Sequence, residues 1–254
     1  MKNYKKLLGC CLISTTFCFN VYSQQVEGFV HQQSEEAGYV WPDDRLVLDK
    51  LEKWQDQKFG VLFHWGLYSV PGIVESWSIC SEDVDWISRK NGMPYDEYKK
   101  WYFGLKDQLN PVHFNPEQWA DVMQDAGIKY MIFTTKHHDG FCTFDSKYTD
   151  FSIAHGAFKN NPRKNVAYHV FDAFRKKGFM IGCYFSKPDW HCEWFWNPYF
   201  ATPQRGINYK KERHPDWWQN YQTYTENQLV TIVRYFFCFS LTGSLKFNNA
   251  STAA

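Results

Sequence analysis

Three short apolar runs constrain the fold of this 254-residue chain more than any other feature. They cover residues 59–66, 130–135 and 179–186, and each has the length and the β-forming residues of a buried strand. Apolar residues at helical spacing precede each run, over residues 45–57, 116–126 and 165–177. Strands that alternate with helices in this way predict a parallel sheet of the α/β class.

The end of the sequence limits how far such a sheet can extend. A closed (β/α)8 barrel of the TIM type is the architecture that this order favours, and it needs about 250 residues. A fourth strand should begin near Leu229, but an apolar run over 230–239 and a short polar tail over 241–254 stand there instead. We therefore expect an incomplete TIM-type barrel, with the first three strands and their helices followed by an aberrant C-terminal tail.

Polar side chains stand where each apolar run ends. His64 closes the first run, His137, His138 and Asp139 follow the second, and Tyr184 lies near the end of the third. The carboxyl ends of parallel strands form one edge of a sheet, and ligands bind at that edge. Adjacent residues can face one ligand only where the strand has ended, so we expect the chain to turn at His137. The sequence predicts a ligand site here.

A metal site is not expected from the motifs. Zinc sites use three or four ligands, and neither an HExxH nor a CxxC spacing occurs in the chain. No cofactor motif was found either, so the prediction is a site without a metal or a cofactor.

The N-terminal residues indicate a secretory signal peptide over residues 1–23. A basic start is followed by an apolar stretch over 7–19 that is too short to span a bilayer, and then by the small-residue cleavage site Val21-Tyr22-Ser23. We expect an exported, periplasmic or secreted protein that does not associate with a membrane after signal removal. The cysteines that remain are expected to be mostly buried thiols with at most one or two disulfides, at positions Cys80, Cys142, Cys183, Cys192 and Cys238.

Charge and aromatic content narrow the class of ligand. The formal net charge of +1 argues against nucleic acid or an anionic membrane surface as a partner, so the substrate is expected to be neutral. Aromatic residues make up 20% of the chain, and many stand beside hydrogen-bonding groups, as in Asp189-Trp190-His191. Sugars suit such surroundings because their C–H faces stack on rings while their hydroxyls form hydrogen bonds.

Three ordered motifs resemble a known family. Residues 63–71, residues 136–141, and residues 184–186 with Asp189-Trp190 are similar to the first three strand ends of the α-L-fucosidases of glycoside hydrolase family 29. The resemblance covers residues 44–229. It implies hydrolysis of terminal α-L-fucosyl residues by a retaining mechanism, a fucosylated glycan or oligosaccharide as partner, and no metal or cofactor.

The resemblance also implies which residues bind the substrate. His64, His137 and His138 are similar to the histidines that bind fucose hydroxyls in the family. Glu75 and Trp77 resemble the acidic and aromatic residues of its first long loop, although the family more often has Glu directly followed by Trp.

Two positions depart from the family pattern in the part of the chain that matches. Ser76 stands between Glu75 and Trp77. Tyr184 is similar to the tyrosine that faces the nucleophile, but Phe185 follows where a second tyrosine is common. The resemblance therefore leaves open which of the two rings faces the pocket.

The resemblance supplies no catalytic residue. The family nucleophile is an aspartate at the end of strand four, and no Asp or Glu occurs after Glu226 in this chain. We therefore expect residues 24–229 to be the N-terminal part of a glycosidase catalytic domain, and residues 230–254 to be a tail from a frameshift or truncation. The chain itself is then an inactive relative of retaining fucosidases. The alternatives are a fucose-binding remnant and a metal-dependent hydrolase that uses His64, His137 and His138.

Overall fold

The computed structural model describes residues 42–80, 92–201 and 205–236. The predicted signal peptide over 1–23 lies outside these residues. Two compact units divide the chain at Lys50 and Leu51. Of the first unit the structure describes residues 42–50, which include the start of helix α1. The sheet and the site belong to the second unit.

The described elements alternate as the sequence predicts. In chain order they are α1 (Arg45–Gln55), β1 (Gly60–Phe63), α2 (Tyr95–Gly104), α3 (Pro116–Asp125), β2 (Tyr130–Lys136), α4 (Val166–Lys176), β3 (Met180–Phe185) and α5 (Pro215–Phe236). Short 3-10 turns occur at Leu67–Ser69, Trp77–Ile79, Leu105–Asp107 and Ile153–His155.

The three described strands form one parallel sheet in the order β1-β2-β3. Tyr130 of β2 lies opposite Gly60 of β1 on one side and Met180 of β3 on the other. The central strand β2 is the most buried, whereas every residue of β3 is partly exposed. The prediction of a parallel sheet fed by helices is therefore confirmed for the described residues.

The first strand is shorter than the sequence predicts. The apolar run over 59–66 was expected to be a single strand, but β1 ends at Phe63 and a 3-10 turn begins at Leu67. Beyond the strand, Trp65 is half-buried and Gly66 is buried, although neither pairs with another strand. An apolar run thus marks burial here and overestimates strand length.

Helices α3 and α4 begin where their caps predict. The side chain of Asn115 accepts a hydrogen bond from the Gln118 amide at 3.1 Å, and that of Asn165 accepts one from the Tyr168 amide at 3.4 Å. Helix α4 packs against β2, β3 and α3. Its buried residues are Val166, Ala167, Val170, Phe171, Ala173 and Phe174.

Two predicted core positions of the α3 segment, Val122 and Ala126, are exposed. Val122 was expected in the apolar stripe of the helix, but it is 55% exposed. It borders an apolar groove of about 420 Å³, which is also lined by Phe63, Trp65, Trp119 and Met123. The outer side of α3 is apolar in sequence because it faces this groove beside β1.

Helix α5 continues through the start of the predicted tail. It runs seven residues past Leu229 to Phe236, and Ile232 within this part is buried. The guanidinium of Arg175 donates to the Tyr235 carbonyl at 2.8 Å and so ties the end of α5 to α4. Residues 237–254 lie outside the described residues. No helix in the described part of the chain has the length and hydropathy needed to cross a membrane.

The described cysteines agree with the expectation of thiols. Cys142, Cys183 and Cys192 are not in disulfides, and Cys142 is fully buried. Burial raises the pKa of the Cys192 thiol to about 12, so it stays protonated at neutral pH. Cys238 lies outside the described residues.

Candidate functional site

Four predicted site residues meet at the carboxyl end of the sheet. The ring centroid of His64 lies 5.8 Å from that of His137 and 5.1 Å from that of Tyr184. His137 and His138 are 4.5 Å apart, and Tyr184 stacks on His137 at 5.6 Å with an interplanar angle of 18°. The expected convergence of these side chains is confirmed. It follows from their position at the ends of β1, β2 and β3.

The structure resolves the choice between Tyr184 and Phe185. Tyr184 faces the histidines, whereas the Phe185 ring lies 4.4 Å from the ammonium of Lys136. The cause is an irregularity in β2, where Thr134 pairs with Tyr184 but Lys136 pairs with Phe185, so that Thr135 is the extra residue. Such a bulge redirects the side chains that follow it.

The loop after β1 brings Glu75 and Trp77 into the same pocket. One Glu75 oxygen, Oε2, accepts a hydrogen bond from the Trp77 indole at 2.7 Å and lies 3.0 Å from His137 Nε2. The other oxygen, Oε1, lies 3.7 Å from His64 Nε2. Glu75 has a φ of 45°, a left-handed conformation that is uncommon for a residue other than glycine. All six predicted binding residues are therefore close together.

His137 is neutral in this environment. Burial, followed by the nearby His138 and His64, lowers the pKa of His137 to about 2. The contact of 3.0 Å between Nε2 and Glu75 Oε2 is therefore one between a neutral imidazole and a carboxylate. The other nitrogen, Nδ1, lies 2.5 Å from the hydroxyl of Ser76. Ser76 is fully buried, so this chain of hydroxyl, imidazole and carboxylate cannot present a serine nucleophile to a substrate.

His138 lies between two indoles. Its ring centroid is 4.6 Å from that of Trp77 and 5.1 Å from that of Trp190. Burial, with the positive charges of Lys136 and Arg205, lowers the pKa of His138 to about 4. Its Nδ1 is buried and has no hydrogen-bond partner among the described residues. This nitrogen has hydrogen-bonding capacity that the described part of the protein does not use.

One group of side chains has the spacing of a metal site. The ligand atoms of His64, Glu75 and His137 lie within 4.8 Å of one another. His138 is not in this group, so the metal alternative does not hold in the form that the sequence suggested. A metal bound there would require unprotonated nitrogens on both histidines.

A buried ion pair lies directly beneath the pocket. The ammonium of Lys136 is 3.1 Å from Asp189 Oδ2, and the two side chains are 0% and 1% exposed. The other oxygen of Asp189 accepts from the Cys192 amide at 2.9 Å. This pair connects the end of β2 to the loop after β3. The sequence did not indicate it, because its two residues are 53 positions apart.

Asp139 belongs to this lower layer and not to the pocket. The sequence placed its carboxylate beside the imidazoles, but it accepts from the Tyr102 hydroxyl at 2.8 Å and from the Phe141 amide at 3.0 Å. Burial raises the pKa of Asp139 to about 7. The following Gly140 has a φ of 82°, and a Cβ there would collide with Asp189. The turn therefore requires glycine for two reasons, the left-handed backbone and the lack of space for a Cβ.

The loop after β3 completes the wall of the pocket. The Trp190 amide donates to the His138 carbonyl at 2.8 Å, and its ring stacks on Trp196 at 5.1 Å. The Arg205 guanidinium lies 5.8 Å from the centroid of the Trp77 ring. In the described part of the chain, the pocket thus combines aromatic walls with several hydrogen-bonding atoms and the carboxylate of Glu75. Such a lining suits an uncharged ligand that carries several hydroxyls.

Comparison with known proteins identifies related chains. The family model described as Alpha-L-fucosidase matches residues 27–236. The human tissue alpha-L-fucosidase is 33% identical over 178 residues, which are 66% of this chain and 34% of that protein. The human plasma alpha-L-fucosidase is 30% identical over 179 residues, or 66% of this chain and 35% of that protein.

Solved structures show the same similarity. The GH29 alpha-L-fucosidase from Bacteroides thetaiotaomicron is 29% identical with a TM-score of 0.52, and the match covers 73% of this chain and 38% of that one. Alpha-L-fucosidase isoenzyme 1 from Paenibacillus thiaminolyticus is 29% identical with a TM-score of 0.55, covering 74% and 41%. The chain spans about a third of the length of the curated relatives that it matches.

Proposed function

This chain belongs to the α-L-fucosidase family, and from that membership we propose that its pocket binds the terminal α-L-fucosyl residue of a glycan. The observation that carries the proposal is the convergence of His64, His137, His138 and Tyr184 with Glu75 and Trp77 at one edge of the sheet. A neutral sugar fits this pocket because rings line it and its histidines His137 and His138 are uncharged at neutral pH.

We also propose that the three strands are the first three of a (β/α)8 barrel. The order of helices and parallel strands supports this assignment, as does the similarity to solved fucosidases. The site lies at the carboxyl ends of the strands, which is where barrels of this type carry their active sites.

We propose that the 254-residue chain binds a fucosyl group without hydrolysing it. A retaining glycosidase needs two carboxyl groups about 5 Å apart, one as nucleophile and one as acid and base. Among the residues that the structure describes, Glu75 is the carboxylate that lies among the histidines. The buried Asp139 and Asp189 are hydrogen-bonded beneath the pocket, while Glu193 and Asp216 are exposed outside it. None of these four stands opposite Glu75 in the pocket.

Isothermal titration calorimetry with L-fucose and D-fucose tests the binding. The two sugars are mirror images with the same composition, so only a chiral pocket distinguishes them. We expect saturable heat with L-fucose and none with D-fucose. Equal heats, or no heat with either sugar, would refute the proposal.

Hydrolysis is tested separately with p-nitrophenyl α-L-fucoside. We expect no release of p-nitrophenol by the purified 254-residue chain above that of buffer alone. The matched control is a full-length family member, such as the human tissue enzyme, assayed on the same batch of substrate. Release that scales with the concentration of the chain would show that it carries a working pair of catalytic groups.

We further propose that the protein is exported. The support is the basic start, the apolar stretch and the small-residue site at residues 1–23. Expression in a bacterial host and intact-mass measurement of the periplasmic fraction test this proposal. A mature chain that begins at Gln24 is expected, and an uncleaved chain that stays in the cytoplasm would contradict it.

A further inference from the structure

We propose that two buried hydroxyls, those of Thr134 and Ser76, give the two pocket imidazoles opposite hydrogen-bond polarity. His64 presents an acceptor nitrogen to the pocket, and His137 presents a donor. Thr134 and Ser76 are thus positioning residues that act through the histidines. The consequence for a sugar rests on the proposed function, whereas the two tautomers are properties of the protein without any ligand.

Thr134 determines the tautomer of His64. Its hydroxyl oxygen lies 2.9 Å from the Phe63 carbonyl and 3.1 Å from His64 Nδ1. A carbonyl oxygen only accepts, so the single hydroxyl hydrogen is donated to Phe63. The contact with His64 then requires that Nδ1 carries the proton. In a neutral imidazole the lone pair is consequently on Nε2, which points towards Glu75 Oε1 at 3.7 Å.

Ser76 and Glu75 determine the opposite tautomer of His137. The carboxylate oxygen 3.0 Å from Nε2 only accepts, so Nε2 carries the proton. The lone pair is then on Nδ1 and accepts from the Ser76 hydroxyl at 2.5 Å. Ser76 is fully buried, and His137 is its recorded side-chain partner in the described residues. Without this hydroxyl, Nδ1 would be a buried acceptor with no partner.

The two tautomers fix what the pocket can recognise. His64 Nε2 and Glu75 Oε1 both accept, and at 3.7 Å no proton joins them. A ligand that binds both atoms must donate a hydrogen bond to each of them, as two hydroxyls of a sugar can. If His64 changed tautomer, its Nε2–H would instead point at Glu75, and the acceptor pair would be lost. The Thr134 hydroxyl, which stands on the neighbouring strand, therefore controls recognition without touching the ligand.

Nuclear magnetic resonance measures the tautomers directly. Long-range ¹H–¹⁵N correlation spectra of protein labelled in its histidines, recorded without sugar at pH 8, distinguish the protonated from the unprotonated ring nitrogen. We expect Nδ1–H for His64 and Nε2–H for His137. The same tautomer for both histidines would overturn the proposal, whatever the outcome of sugar binding.

Variants of Thr134 separate its positioning role from a structural one. Thr134→Val keeps the branched shape and removes the hydroxyl, so we expect His64 to change to the Nε2–H form. Thr134→Ser keeps the hydroxyl and should keep Nδ1–H. Thr135→Val is the matched control, because this equally buried hydroxyl donates to the Tyr184 carbonyl at 2.8 Å and contacts no histidine. A His64 tautomer that is unchanged in Thr134→Val would overturn the proposal.

A second pair of variants tests Ser76. In Ser76→Ala the Nδ1 resonance of His137 should move to the position of an unprotonated nitrogen without a hydrogen bond. Ser78→Ala is the control, since this buried serine accepts from the Tyr98 hydroxyl at 2.7 Å and should leave the His137 signal unchanged. An unshifted Nδ1 resonance in Ser76→Ala would refute the role of Ser76.

Affinity connects the tautomers to ligand recognition. We expect Thr134→Val to weaken L-fucose binding about tenfold, and Thr134→Ser and Thr135→Val to bind as the unmodified chain does. Thr134→Val with undiminished affinity would overturn the link between tautomer and recognition. If the tautomers are as proposed and the unmodified chain does not bind L-fucose, the proposed function fails while the assignment of the tautomers stands.

Discussion

The pocket and the layer beneath it are built from the same few consecutive residues, but they use their polar groups in different ways. In the lower layer, Lys136, Asp139 and Asp189 are almost completely buried, and each is paired or hydrogen-bonded. In the pocket, the side chains of His64 and Glu75 are 29% and 26% exposed, and a nitrogen of His138 has no described partner. The lower layer is internally satisfied, whereas the pocket keeps hydrogen-bonding capacity for a ligand.

The end of β2 separates these two regions within four residues. Lys136 and Asp139 point into the lower layer, and His137 and His138 between them point into the pocket. A regular strand would alternate and place the two histidines on opposite faces. The irregularity at Thr135 and the turn at Gly140 allow the observed arrangement. The difference shows that one short segment can supply both the scaffold and the binding groups.

The largest expected effect is on the lower layer. Lys136→Met leaves the buried carboxylate of Asp189 without its cation, and we expect the free energy of unfolding to fall by about 3–5 kcal/mol. Urea denaturation measures the change. The control is Lys58→Met, because this exposed lysine lies 3.6 Å from Asp56 at the surface and should change stability by less than about 1 kcal/mol. An equal loss of unfolding free energy in the two variants would contradict the claim that the buried pair stabilises the protein more than the exposed pair does.

A pH dependence of stability is expected from Asp139. Burial raises the pKa of Asp139 in the folded protein to about 7, from an ordinary value of 3.8, so the folded state binds the extra proton between these values. Stability should therefore fall as the pH rises, by about 2 kcal/mol between pH 5 and pH 7. Urea denaturation across this range measures the slope. Asp139→Asn, which cannot titrate, should remove this contribution, and a slope that persists unchanged in the variant would exclude Asp139 as its source.

The smallest effect on stability is expected in the pocket. His64→Ala should weaken L-fucose binding at least tenfold, while the free energy of unfolding changes by less than about 1 kcal/mol. Calorimetry and urea denaturation measure the two quantities. His155→Ala is the control, since this partly exposed histidine hydrogen-bonds Ser152 outside the pocket. If His64→Ala unfolded the protein as readily as Lys136→Met, the pocket would be part of the scaffold.

The sequence predicted those features that depend on local patterns. Asn115 and Asn165 mark the helix starts, and the position of His64 and His137 after apolar runs predicted that they would meet. These signals are read from neighbouring residues, and a parallel sheet then brings all the strand ends to one edge. The choice of Tyr184 over Phe185 was not predictable, because it depends on which face of β3 lies towards the pocket, and that follows from the pairing of Tyr184 with Thr134 of β2.

Pairing between distant residues accounts for most of what the sequence did not show. Lys136 and Asp189 form an ion pair only because β2 and β3 are neighbours. Ser76 appeared as a departure from the family spacing, and only the folded loop shows its contact with His137. Asp139 looked like a pocket carboxylate because no neighbouring residue indicates that the Tyr102 hydroxyl donates a hydrogen bond to it in the core.

The left-handed backbone of Glu75 means that the carboxylate used by the pocket lowers the stability of the protein. A residue other than glycine in that conformation costs about 1 kcal/mol or more, so Glu75→Gly would relieve strain while it removes the carboxylate. A laboratory selection for thermal tolerance alone should therefore enrich glycine at position 75, whereas a selection that also demands sugar binding should retain glutamate. Sequencing the survivors measures how often each residue occurs at position 75 after each selection. Glutamate retained equally in both would show that its left-handed conformation does not lower stability.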